Sequence, residues 1–201
     1  MIAIIDYDAG NLRSVQKALN FIGEEAIITR DEKIIQNADK VILPGVGAFG
    51  EAMKKLNSYN LVKTVKDVAA SGKPFLGICL GQQLLFEGSD ENPEVEGLSI
   101  LPGKILRIPD KEGLKIPQIG WNSLTIQPGA KLYANIPQQS YVYFVHSYYS
   151  RATNREDVAA TCEYSTLIDA SIEHENVFAC QFHPEKSGDV GLAILKNFAN
   201  L

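Results

Sequence analysis

The chain is short of net positive charge, of long apolar runs and of cysteine, and each shortage removes a class of function. Lys and Arg number 19 against 24 Asp and Glu, the net charge is −5, and the basic residues are scattered. A nucleic-acid surface would gather them into a patch. No apolar run approaches the roughly 20 residues that cross a bilayer, and the chain enters a strand-like run at Ile2 with no basic segment ahead of it. The expected location is the cytoplasm. The three cysteines, Cys79, Cys162 and Cys180, are odd in number and far apart. They fit neither a disulfide framework nor the paired spacing of a zinc site, so reduced thiols are expected, with no metal and no cofactor.

What is present suffices for one core. With 201 residues, 45% of them hydrophobic, and no linker, repeat or low-complexity stretch, residues 1–201 read as one domain. The first half alternates strand and helix signals. Strands are expected at 2–5, 26–29, 40–43 and 75–78. Leu12, Val15, Leu19 and Ile22 fall at helical spacing before Gly23, and further helical patterns cover 51–56 and 61–70. This order predicts an α/β fold with a mostly parallel sheet covered on both faces. Ligands of such sheets bind beyond the carboxyl ends of the strands. The second half predicts short strands at 104–108, 122–126, 140–145, 158–162, 169–173 and 177–182, an additional antiparallel region with a hairpin near Glu175-Asn176. A last helix is expected over 189–200.

The stretch Lys73-Pro74-Phe75-Leu76-Gly77-Ile78-Cys79-Leu80-Gly81-Gln82-Gln83-Leu84-Leu85-Phe86 places one cysteine between two glycines where a strand gives way to a helix expected from Gln82 onward. That is the pattern of a nucleophile elbow, with sulfur as the nucleophile. The glycines permit the sharp bend and the approach of a substrate. A helix start behind the thiol would favour thiolate. The alternative reading is a buried cysteine that packs as a small hydrophobe.

A thiol that transfers acyl groups needs a base, an acid and a group that orients the imidazole. Of the three histidines, His174 reads as a solvated turn residue and His146 ends an aromatic strand. His183 ends a strand and is followed by Pro184 and Glu185. Pro184 keeps the residue before it extended, so Glu185 can turn back on His183. A plain surface pair of Glu185 with Lys186 is the competing reading. Pro44-Gly45-Val46-Gly47 follows the strand at 40–43, and its two glycines leave backbone N–H groups free for an oxyanion. Its spacing fits neither a P-loop nor a dinucleotide fingerprint.

Together these segments resemble the class I glutamine amidotransferases along essentially the whole length. The resemblance rests on Ile5-Asp6-Tyr7-Asp8-Ala9-Gly10-Asn11-Leu12, on Leu43 to Gly50, on the elbow, on Ile119-Gly120-Trp121-Asn122, on Tyr143-Phe144-Val145-His146-Ser147-Tyr148 and on Gln181-Phe182-His183-Pro184-Glu185-Lys186-Ser187. Within the family, Phe49 after Pro-Gly-Val-Gly, the Gly-Trp-Asn and the early Gly10-Asn11-Leu12 are similar to glutaminase subunits that serve a cyclase of histidine biosynthesis. The resemblance implies a single-domain, three-layer, flavodoxin-like fold and a triad of Cys79, His183 and Glu185. It implies an oxyanion site at Val46, Gly47 and Leu80, and contacts to glutamine from Gly45, Gln83, Ser147 and Tyr148. Gln82 departs from relatives, which more often carry Met or His there.

Nothing in the remaining sequence could bind and cyclise a large phosphorylated acceptor. The resemblance therefore implies a partner, a (β/α)8-barrel cyclase that receives ammonia and makes imidazole glycerol phosphate and aminoimidazole carboxamide ribotide. Asn11, Ile119, Trp121, Tyr143 and Lys186 are the expected contacts, although Trp121 could equally be core. Amidotransferases of other pathways share the triad, and a γ-glutamyl hydrolase would share Cys and His but act alone. Asp6, Cys162 and Cys180 read as structural.

Overall fold

A computed structural model describes all residues, Met1–Leu201. The first strands form because runs of branched apolar residues can be covered on both sides. In β1 (Ile2–Ile5) all four residues are buried. Ile2 and Ile4 face one core cluster, and Ala3 and Ile5 face the other. Burying each such isoleucine contributes about 2–3 kcal/mol. α1 (Leu12–Phe21) packs Val15, Ala18 and Leu19 onto the first face. It stops at Gly23, whose φ of +85° lets the Glu24 N–H turn back to the Leu19 carbonyl.

β2 (Ala26–Thr29) is followed by α2 (Glu32–Asn37), a helix absent from the sequence expectations. It is six residues long and buries only Ile35, which is too little for a periodicity to show. Its signal was the cap: the Asp31 carboxylate accepts the Ile34 N–H at 3.1 Å. β3 (Lys40–Gly45), α3 (Phe49–Ser58), α4 (Leu61–Ala69) and β4 (Phe75–Cys79) follow as expected, with β3 running two residues further than 40–43. α5 (Leu80–Leu84) starts at once after the cysteine, not at Gln82, and is only five residues long.

The second half contains β5 (Gly103–Arg107), β6 (Gln118–Ser123), β7 (Thr125–Ile126), β8 (Tyr141–His146), β9 (Tyr148–Ala152), β10 (Val158–Tyr164), β11 (Thr166–His174) and β12 (Val177–Cys180), then α6 (Gly188–Ala199). The strand expected at 122–126 is two strands, divided at Leu124, and β9 was missed altogether. The expected hairpin joins β11 to β12, with Glu175 at a φ of +53°.

The main sheet has eight strands in the order β2-β1-β3-β4-β12-β11-β10-β7. β2, β1, β3, β4 and β12 run parallel, and the last three strands continue the sheet antiparallel. α1 and α6 cover one face, while α3, α4 and α5 cover the other. Two ribbons, β5-β9 and β6-β8, lie outside the main sheet. No helix is long and apolar enough to cross a membrane.

One pairing brings the two halves of the sequence together. β12, formed near the end of the chain, lies beside β4 with Cys180 opposite Ile78. On the other side of β4, Gly45 at the end of β3 stands opposite Cys79. Three strand ends therefore meet at one edge, and each was singled out in the sequence.

Candidate active site

Cys79 is the last residue of β4 and has φ +55° and ψ −112°. A residue with a Cβ holds such a conformation only where its surroundings impose it. The imposition comes from the glycines on either side. A Cβ on Gly77 would lie 3.0 Å from the Gln82 backbone, and one on Gly81 would lie 1.8 Å from the Leu43 carbonyl oxygen. The chain turns back on itself tightly, and the thiol is left at the end of the sheet. Because α5 has only five residues, its dipole offers the sulfur less support than the sequence suggested.

His183 leaves β12 in extended conformation, φ −103° and ψ 97°, as the following proline requires. Pro184, Glu185 and Lys186 then make a single 3-10 turn. That turn brings the Glu185 carboxylate back to His183, with Oε1 2.8 Å from Nδ1 and both side chains buried. The surface pairing of Glu185 with Lys186 is thereby set aside. Burial works to lower the pKa of His183, but the Cys79 sulfur and the Glu185 carboxylate outweigh it and raise the imidazole to about 9. Its Nε2 is buried without a hydrogen-bond partner.

Cys79 and His183 share the wall of a cavity of about 310 Å³ with Val46, Gly47, Leu80, Gln83, Ser147, Tyr148 and Lys186. The sequence had named eight of these for the reaction, and Lys186 as a partner contact. Gly47 has a φ of +102°, and neither its amide nor that of Val46 is engaged by a backbone carbonyl. Gly45 is different. It lies behind the wall, where a Cβ would stand 2.4 Å from the Tyr7 hydroxyl and 2.9 Å from the Gly81 nitrogen, so it acts through close packing. Tyr7 in turn donates to the Pro44 carbonyl at 2.8 Å, which fixes the strand just before the Gly45-Val46-Gly47 turn.

The cavity also holds Glu91, Val145 and His146, which the sequence reading had not placed there. Glu91 Oε2 accepts the Phe49 N–H at 2.9 Å, and Asn92 accepts the Gly50 N–H at 2.8 Å. A distant loop thus caps α3, and this cap braces the turn at Gly47. His146 is buried, and burial pulls its pKa down to about 4. Its Nδ1 is 2.7 Å from the Tyr148 carbonyl and its Nε2 2.9 Å from Gln118. The neutral ring therefore donates from Nδ1 and supports the Ser147-Tyr148 bend.

The remaining candidates lie elsewhere. His174 pairs with Asp157 at 3.1 Å. Asp6 is bound by Arg30 at 2.7 Å. Cys162 and Cys180 are core residues, and burial raises the first to about 12 and the second well above the ordinary thiol range. Gln82 is fully buried and points to Ser150 at 2.8 Å, away from the cavity. Trp121 is 55% exposed, which excludes it from the core, and Ile119 is 64% exposed on the same strand. Their ribbon touches the site, because the Tyr143 carbonyl accepts the His183 N–H at 2.9 Å.

A thiol, an imidazole fixed by a carboxylate and a turn of free amides are the parts for acyl transfer through a thioester. Comparison with known proteins agrees with that chemistry. The family model described as "Glutamine amidotransferase class-I" matches residues 3–200. A protein of Caldanaerobacter subterraneus subsp. tengcongensis named "Imidazole glycerol phosphate synthase subunit HisH" is 51% identical over 100% of this chain and 98% of its own. One of the same name from Methanothermobacter thermautotrophicus is 49% identical over the same shares, 100% and 98%. A solved structure described as "Crystal structure of glutamine amidotransferase" superposes with a TM-score of 0.76 at 20% identity, covering 99% of this chain and 100% of its own. Another, "Structure of PurLQS from Thermotoga maritima", gives 0.75 at 19% identity, over 99% and 97%. At these identities the two structures speak for the fold alone.

Proposed function

The chain belongs to the class-I glutamine amidotransferase family, and on that premise we propose that it is the glutaminase subunit of an imidazole glycerol phosphate synthase. It hydrolyses glutamine to glutamate and ammonia and hands the ammonia to a separate (β/α)8-barrel cyclase in histidine biosynthesis. The observation that carries the reading is the elbow thiol of Cys79 on one cavity wall with His183, itself held by Glu185 at 2.8 Å. The relatives' name, in which each is a subunit, supports a second polypeptide.

The reaction follows from the arrangement. Cys79 Sγ attacks the side-chain carbonyl carbon of glutamine, and the carbonyl oxygen takes up negative charge facing the amides of Val46, Gly47 and Leu80. His183 Nε2 gives its proton to the amide nitrogen, the C–N bond breaks, and ammonia leaves a γ-glutamyl thioester. Water then attacks that carbon while Nε2 takes its proton, and the C–S bond breaks to release glutamate. Glu185 keeps the imidazole oriented throughout. One donor to the oxyanion contributes about 3–4 kcal/mol in comparable sites.

Glutamine also carries an ammonium and a carboxylate. Gln83 and the backbone of Ser147 and Tyr148 serve those ends, and Glu91 supplies the anion that an ammonium calls for. Glu91→Gln keeps the acceptor for Phe49 but loses the charge. It should raise KM for glutamine about tenfold, the worth of one charge-assisted hydrogen bond, with kcat within about twofold. An unchanged KM in steady-state assays would remove Glu91 from substrate binding.

Val46 and Tyr141 are 44% and 58% exposed, as Ile119 and Trp121 also are exposed, and together with Asn11, Tyr143 and Lys186 they are assigned to one docking face. A partner seated here covers the cavity mouth and keeps ammonia from water. The purified chain should release glutamate at least ~10-fold more slowly alone than with the barrel and its acceptor nucleotide, since a free amidase would waste glutamine. Equal rates with and without the barrel would point to a self-sufficient hydrolase.

A further inference from the structure

Gln181 is fully buried two residues before His183, just past the end of β12. Its Nε2 lies 3.7 Å from Cys79 Sγ, within the longer reach of sulfur. Its Oε1 lies 3.0 Å from Gln83 Nε2, and that same nitrogen is 3.0 Å from the Tyr148 carbonyl. These contacts fix both amides. A backbone carbonyl only accepts, so the nitrogen of Gln83 must face Tyr148. The Gln83 nitrogen can share its second hydrogen only with an acceptor, so the oxygen of Gln181 faces it. The nitrogen of Gln181 is left aimed at the sulfur. One carbonyl, acting through two side chains, thus presents a donor to the reacting atom. The Gln181 backbone is itself held, its N–H bonded to the Ala170 carbonyl at 2.9 Å.

We propose that Gln181 is a catalytic residue of the glutaminase reaction described above, a reading on which this inference rests, and that its amide N–H receives the sulfur as it leaves the thioester. In that step water adds to the acyl carbon and His183 Nε2 takes the water proton. The C–S bond then breaks and its electron pair stays on Cys79 Sγ. Sulfur goes from neutral to anionic. A hydrogen bond to an anion is about twice as strong as one to a neutral acceptor, so the Gln181 amide binds the end of this step better than its start.

The test uses the full chain with its barrel partner and acceptor nucleotide, in two variants. Gln181→Met keeps the length and removes the donor, while Gln181→Glu keeps the shape and the acceptor for Gln83 but turns an oxygen toward the sulfur. Both should lower kcat between about 10- and 100-fold, the range for one charge-assisted hydrogen bond, with KM within about threefold. Rapid-quench mass spectrometry should show the γ-glutamyl thioester on Cys79 accumulating in the variants and not in the wild type. A raised KM with unchanged kcat would assign Gln181 only to supporting Gln83 and overturn the proposal, as would a lowered kcat without thioester. Should the wild-type complex release no glutamate, the fault would lie with the glutaminase reading itself.

Discussion

Replacing Cys79 with alanine should reduce glutamate release by about 10⁴-fold or more, measured with the barrel partner and acceptor present in an assay coupled to glutamate oxidation. Removal of a nucleophile costs that much because the remaining groups still bind substrate and polarise its carbonyl but form no intermediate. No other cysteine can substitute. Cys162 and Cys180 lie in the core, their thiols pushed up by burial, and neither reaches the cavity. Retention of a tenth of the rate would mean that another group performs the attack. The same variant has a second readout. His183 stands at about 9 because the Cys79 sulfur and Glu185 together outweigh burial. Without sulfur, burial is opposed by Glu185 alone, so the midpoint of the His183 ring protons in an NMR titration should move down toward the ordinary imidazole value of about 6.5. A midpoint that stays near 9 would show that the two side chains do not sense each other.

Gly81→Ala should be the most damaging small change outside the reacting groups. The added Cβ would lie 1.8 Å from the Leu43 carbonyl oxygen and 2.8 Å from the Leu43 carbonyl carbon. Both belong to β3, a central strand whose Val41, Ile42 and Leu43 are fully buried, so no side chain can swing aside to make room. Overpacking against side chains costs about 1–3 kcal/mol, and backbone that cannot yield costs at least the upper figure. At about 2–4 °C per kcal/mol for a chain of this size, thermal unfolding followed by circular dichroism should show Tm lower by about 10 °C. Glutaminase activity should fall as well, because moving β3 moves Val46 and Gly47. A variant that melts within 2 °C of the wild type would show that the elbow is looser than its contacts imply.

These two results separate what the sequence displayed from what it hid. The Gly77-Ile78-Cys79-Leu80-Gly81 pattern could be read because an elbow imposes steric demands that few residue types meet, and the demands are local. The same holds for Pro184, which fixes the conformation of its neighbour. Glu91 was not legible. It stands in a run of polar residues, Ser89-Asp90-Glu91-Asn92, that looks like any solvated loop, and only the Phe49 amide gives it a place. Gly45 was read as touching substrate, since its motif cannot show whether open space or backbone lies against it. β9 escaped notice because Ser150 and Arg151 interrupt its apolar run. Its partner is β5, and pairing between distant segments leaves no trace in either one. β6 shows Ile119 and Trp121 outward, so the apolar residues in its pattern do not mark the core.

The seating of β12 beside β4 bears on how this protein is made in a cell. A ribosome delivers the cysteine early and its imidazole almost last, and domains are assembled as the polypeptide emerges. Until the final strand slots between β4 and β11, the thiol lacks the imidazole that Glu185 holds. On the proposed triad, polypeptides truncated before Val177 should release no glutamate. The order of translation would then set the order in which the reacting groups meet.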